Sequence, residues 1–245
     1  MLFRYFKFTA ILLFGTVNFL LAQVKPTPAT ERMNGLQKRK LLRDNSLLKD
    51  VKFRAVGPSI MSGRVVDIDV NPADPTEFYV AYASGGLWYT QNNGQSLVPV
   101  FDNEDAITIG DIAVNWKSRI IWVGTGEANS SRSSYAGMGM YKSKDNGKTW
   151  EYLGLPETHH IGKILLHPSD PNTVWVAALG HLYSFNKERG VFKTKDGGKT
   201  WRKVLFINDR TGAVSLERVV DSSVNAAILF ASSKIRIDKI SVSKH

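Results

Sequence analysis

The 245-residue sequence has no cysteine. That absence excludes disulfides, thiolate metal sites, a cysteine nucleophile and a cysteine-anchored lipid, and it leaves packing alone to hold the fold. Acidic residues are in deficit, 22 Asp and Glu against 32 Lys and Arg, for a formal net charge of +10. An excess of this sign ordinarily points to nucleic acid. Here much of it is local, in the run Gln37-Lys38-Arg39-Lys40-Leu41-Leu42-Arg43. Leu36, Leu41, Leu42, Leu47 and Leu48 give that run only a weak apolar face, so it reads as a solvated leader rather than a membrane-surface anchor. The apolar stretch at residues 8–21 is short of the roughly twenty residues that a membrane span needs. Arg4 and Lys7 precede it and Ala22 follows it, the pattern of a secretory signal cleaved before Gln23. Residues 1–22 are therefore read as signal peptide and 23–50 as a basic leader or linker. The chain is expected to be exported, to the periplasm, the outer surface or the medium, with no stable membrane span after cleavage and no nucleic-acid partner.

What the sequence does have is 43% hydrophobic residues, enough for a sizeable core, and 11% aromatics among 20 Gly and 9 Pro. That mixture suits many short strands joined by turns, an all-β class. A repeat carries the main signal: T-Q-N-N-G-Q-S-L at 90–97, S-K-D-N-G-K-T-W at 143–150 and T-K-D-G-G-K-T-W at 194–201, a period of about fifty residues. A second anchor recurs with it, in Tyr79-Val80-Ala81, Trp122-Val123-Gly124, Trp175-Val176-Ala177 and Leu229-Phe230-Ala231. In the third unit, residues 161–166, 174–178, 190–195 and 201–206 read as four strands separated by turn chemistry such as His167-Pro168-Ser169-Asp170-Pro171.

Four-stranded repeats arranged radially are propeller blades. Within each motif, Asn93-Gly94, Asn146-Gly147 and Gly197-Gly198 tolerate positive φ, and Asp145 or Asp196 accepts hydrogen bonds from the turn's own amides. Trp150 and Trp201 are expected to wedge between sheets. Asp145, Gly147, Trp150, Asp196, Gly198 and Trp201 are thus structural, a latch rather than catalytic groups, because no second carboxylate accompanies the Asp at fixed spacing. The copy at 90–97 is degenerate, with Asn92 for Asp and Leu97 for Trp, and a weaker turn is expected there. Residues 51–58 resemble the outer strand that follows each motif, yet no motif precedes them. The expectation for residues 51–231 is a partial β-propeller, about three four-stranded blades plus part of a fourth, in an open arc. The rest of the propeller is missing, and 232–245 form a divergent tail, so the chain reads as truncated or as continued in a longer one.

Residues 50–231 resemble the sortilin-type, BNR (Asp-box) repeat exported proteins of bacteria, a glycosyl-hydrolase-like β-propeller family. The likeness is carried by Val56-Gly57-Pro58 with Ser62-Gly63-Arg64-Val65, by Gly85-Gly86-Leu87-Trp88 and by Gly124-Thr125-Gly126-Glu127-Ala128-Asn129. Ala178-Leu179-Gly180-His181 and Glu188-Arg189-Gly190-Val191-Phe192 add to it. The resemblance implies a propeller fold and leaves activity open, since sialidases, xyloglucan-degrading hydrolases, photosystem assembly factors and sorting receptors share the Asp-box. Xyloglucan-degrading relatives carry a catalytic Asp just before a Gly-Gly pair, and Ala83 stands at that position here. A sialidase needs three clustered arginines and a Tyr nucleophile, and Arg64, Arg132 and Arg189 with Tyr135 would be so arranged only by coincidence.

The loops between the second and third strands project from the face opposite the Asp-box turns. They hold Glu127, Asn129, Arg132, Tyr135, His181, Tyr183 and Arg189, and His159 and His160 in a link between blades are expected on the same face. These nine residues are the candidate ligand-binding set. No metal is expected, because adjacent histidines on a strand point to opposite faces and no partner recurs at ligand spacing. No cofactor and no catalytic residue is assigned. The leading expectation is a non-catalytic module that binds or assembles peptide or glycan. The alternative is a glycoside hydrolase of the xyloglucanase or sialidase-like propeller class, or an inactive fragment of one.

Overall fold

Short β-branched and aromatic runs punctuated by Gly, Asn and Pro become strands, and the Leu-, Lys- and Arg-rich stretch at 29–44 becomes a helix. The computed structural model describes residues 26–51, 63–131, 134–220 and 227–235. The signal expected at 1–22, all but the first residue of the strand expected at 51–58, Arg132 and residues 236–245 lie outside them. Helix α1 (Ala29–Asp44) comes first, with Glu31 in its first turn and Arg43 in its last, each matched to the helix dipole. Although none of its residues is fully buried, Met33 and Leu36 pack against the first core, and Arg32 donates to the Gly137 and Pro156 carbonyls at 3.0 and 2.8 Å. The leader is thus tied to the strands that follow.

Three four-stranded antiparallel sheets succeed one another in chain order. The first holds β1 (Val65–Val70), β2 (Phe78–Tyr82), β3 (Gly86–Thr90) and β4 (Val98–Pro99). The second holds β5 (Ile109–Asn115), β6 (Ile120–Thr125), β7 (Met140–Ser143) and β8 (Glu151–Tyr152). The third holds β9 (Ile161–Leu166), β10 (Val174–Ala178), β11 (Gly190–Thr194) and β12 (Arg202–Leu205). A two-stranded sheet follows, β13 (Thr211–Val220) with β14 (Ala227–Ile235), and β14 runs past position 231, where the repeat likeness lapses.

The first strand of each sheet lies against the first strand of the next. Aspartates lock these neighbours: Asp67 accepts the Ile112 N–H at 3.3 Å, Asp69 the Val114 N–H at 2.7 Å and Asp111 the Ile164 N–H at 2.7 Å. The approach is close enough that a Cβ on Gly110 would stand 1.9 Å from the Ile161 carbonyl oxygen. The cores lie between sheets rather than within them. One joins Tyr79 and Leu87 to Ile112 and Ile121, the next joins Trp122 and Met140 to Ile164 and Phe192, and a third joins Trp175 and Val191 to Ala213 and Leu216. Four-stranded meanders stacked face to face around their first strands are the blades of a β-propeller, here three with a two-stranded fourth sheet.

The turn between the third and fourth strands of each blade closes by one pattern. Asp145 accepts from Ser143 Oγ at 2.8 Å, from Thr149 N–H at 2.9 Å and from Thr149 Oγ1 at 2.6 Å, and these bonds hold its carboxyl down at about 2. Asp196 repeats this with Thr194 and Thr200. At the degenerate copy, Asn92 accepts from Thr90 Oγ1 at 3.0 Å and from Ser96 N–H at 2.9 Å, and donates to Ser96 Oγ at 2.9 Å. That turn keeps the hydrogen-bond pattern expected to weaken; what it lacks is the carboxylate charge and the indole. Trp150 sets its ring edge-on to Phe101 at 4.9 Å and donates to the Val100 carbonyl at 2.7 Å. Trp201 does the same one blade later, edge-on to Trp122 at 6.4 Å and donating to Leu153 at 2.8 Å. Each indole therefore bridges from its own blade to the preceding one.

Candidate functional site

The face opposite those turns is built by the loop after β6, the link 153–160 and the loop after β10. Two glycines fix the link against the first loop. A Cβ on Gly126, at φ +84°, would stand 1.8 Å from the His159 carbonyl oxygen, which also accepts the Gly137 N–H at 2.7 Å. His159 itself is held at φ +53°, a left-handed value that side chains rarely adopt. This turn breaks the strand-like alternation expected of the adjacent histidines. His159 and His160 accordingly line one cleft instead of facing opposite ways, and the earlier expectation is corrected.

That cleft, of about 500 Å³, is also lined by Ser134, His181, Leu182 and Tyr183. His181 stacks on His159 with ring centroids 3.6 Å apart. Its Nε2 lies 3.1 Å from Glu157 Oε2, and its Nδ1 lies 2.8 Å from Ser184 Oγ. Glu157 belongs to a 3-10 turn, Pro156–Thr158, whose proline opens the turn. The ligand atoms of Glu157, His159 and His181 all fall within 4.8 Å of one another. His160 is not among them, and His181 comes from the next blade's loop, a proximity that spacing along the chain does not reveal. Burial, then the neighbouring His181 and Arg32 charges, push His159 down to about 2, and burial pushes His160 down to about 4. His181 is lowered as well, again chiefly by burial. His159 and His160 are therefore neutral at physiological pH.

Glu127 sits behind this wall, 1% exposed. Arg64 embraces it in a two-pronged pair, with Nε to Oε1 at 2.8 Å and Nη2 reaching both oxygens, and Ser134 donates to Oε2 at 2.9 Å. Burial pushes the carboxyl up, but the hydrogen bonds from Arg64 and Ser134, the Arg64 charge and a bond from Asn129 outweigh it, leaving the group below its ordinary value. The Glu127 carbonyl in turn faces His160 Nδ1 at 2.8 Å. Arg189 is equally committed: its guanidinium donates to the carbonyls of Leu179 at 2.7 Å, Ser184 at 2.8 Å, Arg210 at 3.3 Å and His181. It shapes the loop after β10 and has a positioning role.

Of the nine candidates, His159, His160, His181 and Tyr183 share the cleft, the buried Glu127 and Arg189 stand behind it, and Asn129 is exposed and bonded to Glu127. Tyr135 lines a neighbouring depression with Arg32 and Met138, and Arg132 lies outside the described residues. Glu157 was not singled out from the sequence; an acid two residues before a His-His pair was the only available signal. A second polar cluster also went unread. On the first strands of three blades, Lys163 Nζ lies 2.8 Å from Asp111 and 3.8 Å from Asp67. Burial pushes the Asp111 carboxyl up to about 8 despite Lys163.

No protein-family model matches the chain. A 72-residue stretch, 29% of the chain, is 31% identical to the vacuolar protein sorting/targeting protein 10 of Kluyveromyces lactis, of which it spans 4%. An ancestral GH74 enzyme superposes on 60% of this chain and 19% of its own, with a TM-score of 0.46 and 21% identity. YCF48 bound to D1 peptide covers 64% of this chain and 45% of its own (TM-score 0.43, 15% identity). PorZ, a surface component of the type-IX secretion system of Porphyromonas gingivalis, covers 64% and 22% (TM-score 0.41, 19% identity). No helix among the described residues is long and apolar enough to cross a membrane. The chain thus spans a small part of the curated relative it matches and under half of each of these structures, and its likeness to them is one of β-propeller architecture.

Proposed function

We propose that the chain is an exported, non-catalytic β-propeller module that holds a peptide segment in the cleft between the loops after β6 and β10. The observation that carries this reading is the cleft itself: imidazoles and Ser134 offer hydrogen bonds, Leu182 and the exposed Tyr183 offer apolar contact, and His160, His181 and the Arg189 that shapes the loop are pinned by hydrogen bonds. Pinned walls lower the ordering cost of binding. The turns at 90–97, 143–150 and 194–201 are read as Asp-boxes with a structural role, and the basic, apolar and small-residue pattern of 1–22 supports export.

A glycoside hydrolase is the second reading, and Glu127 is the carboxylate it would require. A glycosidase acid must carry a proton at working pH. Glu127 is held ionised by Arg64, and Ala83 stands buried where hydrolase relatives place an Asp. Glycan binding without cleavage fits the exposed Tyr135 and Tyr183 rings as stacking platforms. The test is a binding screen of the full chain against a peptide library and an oligosaccharide array. The peptide reading expects peptide hits that Tyr183→Ala weakens roughly tenfold. Glycan hits alone would replace peptide with glycan, and sugar release abolished by Glu127→Gln would establish the hydrolase.

A further inference from the structure

Glu157, His159 and His181 are oriented in a way that packing alone does not require. Glu157 Oε1 accepts the Ala29 N–H at 2.5 Å and lies 3.7 Å from Arg32, so both leader contacts fall on one oxygen. Oε2 is left facing the two imidazoles, 3.1 Å from His181 Nε2 and 3.8 Å from His159 Nε2. The His159 side chain is nine-tenths buried, yet its Nε2 has no hydrogen-bond partner. A buried polar atom without a partner carries an uncompensated desolvation cost of roughly 1–3 kcal/mol in a native protein.

We propose that Glu157, His159 and His181 bind one divalent transition-metal ion of the zinc class through Glu157 Oε2 and the two Nε2 atoms. Donors at zinc–ligand distances of about 2.0–2.1 Å in tetrahedral array stand roughly 3.3 Å apart. The separations from Oε2 lie either side of that value and all three donor atoms fall within 4.8 Å of one another, so closure onto an ion draws the donors together by at most about 1.5 Å and tilts the stacked His159 and His181 rings apart. The surroundings supply the outer contacts such a site uses. Ser184 Oγ at 2.8 Å can accept a hydrogen bond from His181 Nδ1–H and so leave the Nε2 lone pair for the ion, while the Ala29 amide fixes the carboxylate. Two imidazoles and one carboxylate select zinc-class ions over Mg2+ or Ca2+, which prefer all-oxygen sites. Three protein donors leave a fourth position open toward the cleft, where water or a ligand carboxylate can complete the sphere. The proposal stands apart from the peptide reading, because the ion is measured with no other ligand present.

The test is titration of the metal-stripped full chain with Zn2+ alone, by calorimetry and by competition with a chromophoric chelator. One ion per chain is expected, with a Kd below about 1 µM, and no binding of Mg2+. His159→Ala and His181→Ala each weaken it on the order of 100-fold, and Ser184→Ala roughly tenfold, while His167→Ala, an alteration elsewhere on the third blade, leaves it unchanged. Co2+ added to the intact chain gives the intense visible bands of a tetrahedral site, a readout that survives even if the histidine variants fail to fold. A Kd above about 10 µM, an octahedral Co2+ spectrum, or tight binding that both histidine variants retain overturns the proposal.

Discussion

Replacing Trp201 by Ala tests whether the blades are held together by the indoles that cross between them. The ring is partly buried, edge-on to Trp122, and its Nε1 donates to the Leu153 carbonyl of the preceding blade. Truncating a fully buried Trp costs about 3–5 kcal/mol; partial exposure reduces this to about 2–3 kcal/mol here. Trp201→Phe keeps most of the packing and removes the hydrogen bond, which sets its cost at roughly 1 kcal/mol. Urea unfolding followed by near-UV circular dichroism gives both numbers, and the ordering Ala > Phe separates packing from hydrogen bonding. Native-state amide exchange then locates the loss. Protection is expected to fall in β9–β12 more than in β1–β4, because the wedge joins the third blade to the second. A cost for Trp201→Ala within about 0.5 kcal/mol of zero, the range of ordinary surface substitutions, would refute the wedge. So would loss of protection spread evenly over all three blades.

The buried Glu127 carboxyl lies below its ordinary value, so its contribution to stability is present above the unfolded carboxylate range and is lost as the pH falls through it. Arg64→Met removes the charge that outweighs burial, and the slope near pH 5 should then reverse, with stability falling as the pH rises; urea midpoints at pH 4.5, 6 and 8 measure it. Asp111 is raised to about 8, which gives the opposite sign: its share of stability is lost as pH rises from the ordinary carboxylate range through about 8. Asp111→Asn should flatten that decline, and an unchanged alkaline profile would place the buried charge elsewhere. Gly126→Ala puts a methyl 1.8 Å from the His159 carbonyl oxygen at a φ of +84°, so the chain should lose cooperative unfolding or solubility, whereas Gly35→Ala, with open space around it, should be silent. Arg189→Lys cannot reach four carbonyls at once, so limited proteolysis should cut within 180–189 in the variant first.

The blades were legible because their signals are local. Strands at 161–166 and 174–178 follow from apolar runs between Pro- and Asp-bearing turns, and the structure places β9 and β10 at those residues. The wedging role of Trp150 and Trp201 followed from their fixed place after a tight turn. The cleft was half legible, because strand direction alone puts the two long loops and the link on one face. Its details were not. Whether His159 and His160 share a face depends on a left-handed φ at His159, and that φ answers to Gly126 and Gly137, more than twenty residues earlier. The pairing of Arg64 with Glu127 and the ladder from Asp67 through Asp111 to Lys163 each join different blades. A sequence period gives the equivalence of such positions, but it does not give which side chains meet across the gap between sheets.

The division of labour between the two faces follows from the same packing. On one face the carboxylates of Asp145 and Asp196 are satisfied within eight residues, by hydroxyls and amides of their own hairpins. The preceding blade adds contacts to these turns, Lys142 Nζ donating to the Gly197 carbonyl at 3.1 Å and Tyr79 Oη to Asn146 Oδ1 at 2.9 Å, but the carboxylates stay engaged within the turn. On the other face the loops also draw partners from one another. The loop after β6 borrows Arg64 from the first blade, the link borrows Ala29 and Arg32 from the leader helix, and His181 from the third blade completes the group around Glu157. Groups from four segments converge because the first strands of successive sheets lie against one another, at Gly110 beside Ile161 and Gly162 beside Val214 closer than any Cβ would permit. Convergence of this kind is what a binding site needs and what a single hairpin cannot supply. The chemistry of this chain therefore belongs to the junctions between blades, and a variant that leaves every blade folded but separates two of them should lose the site.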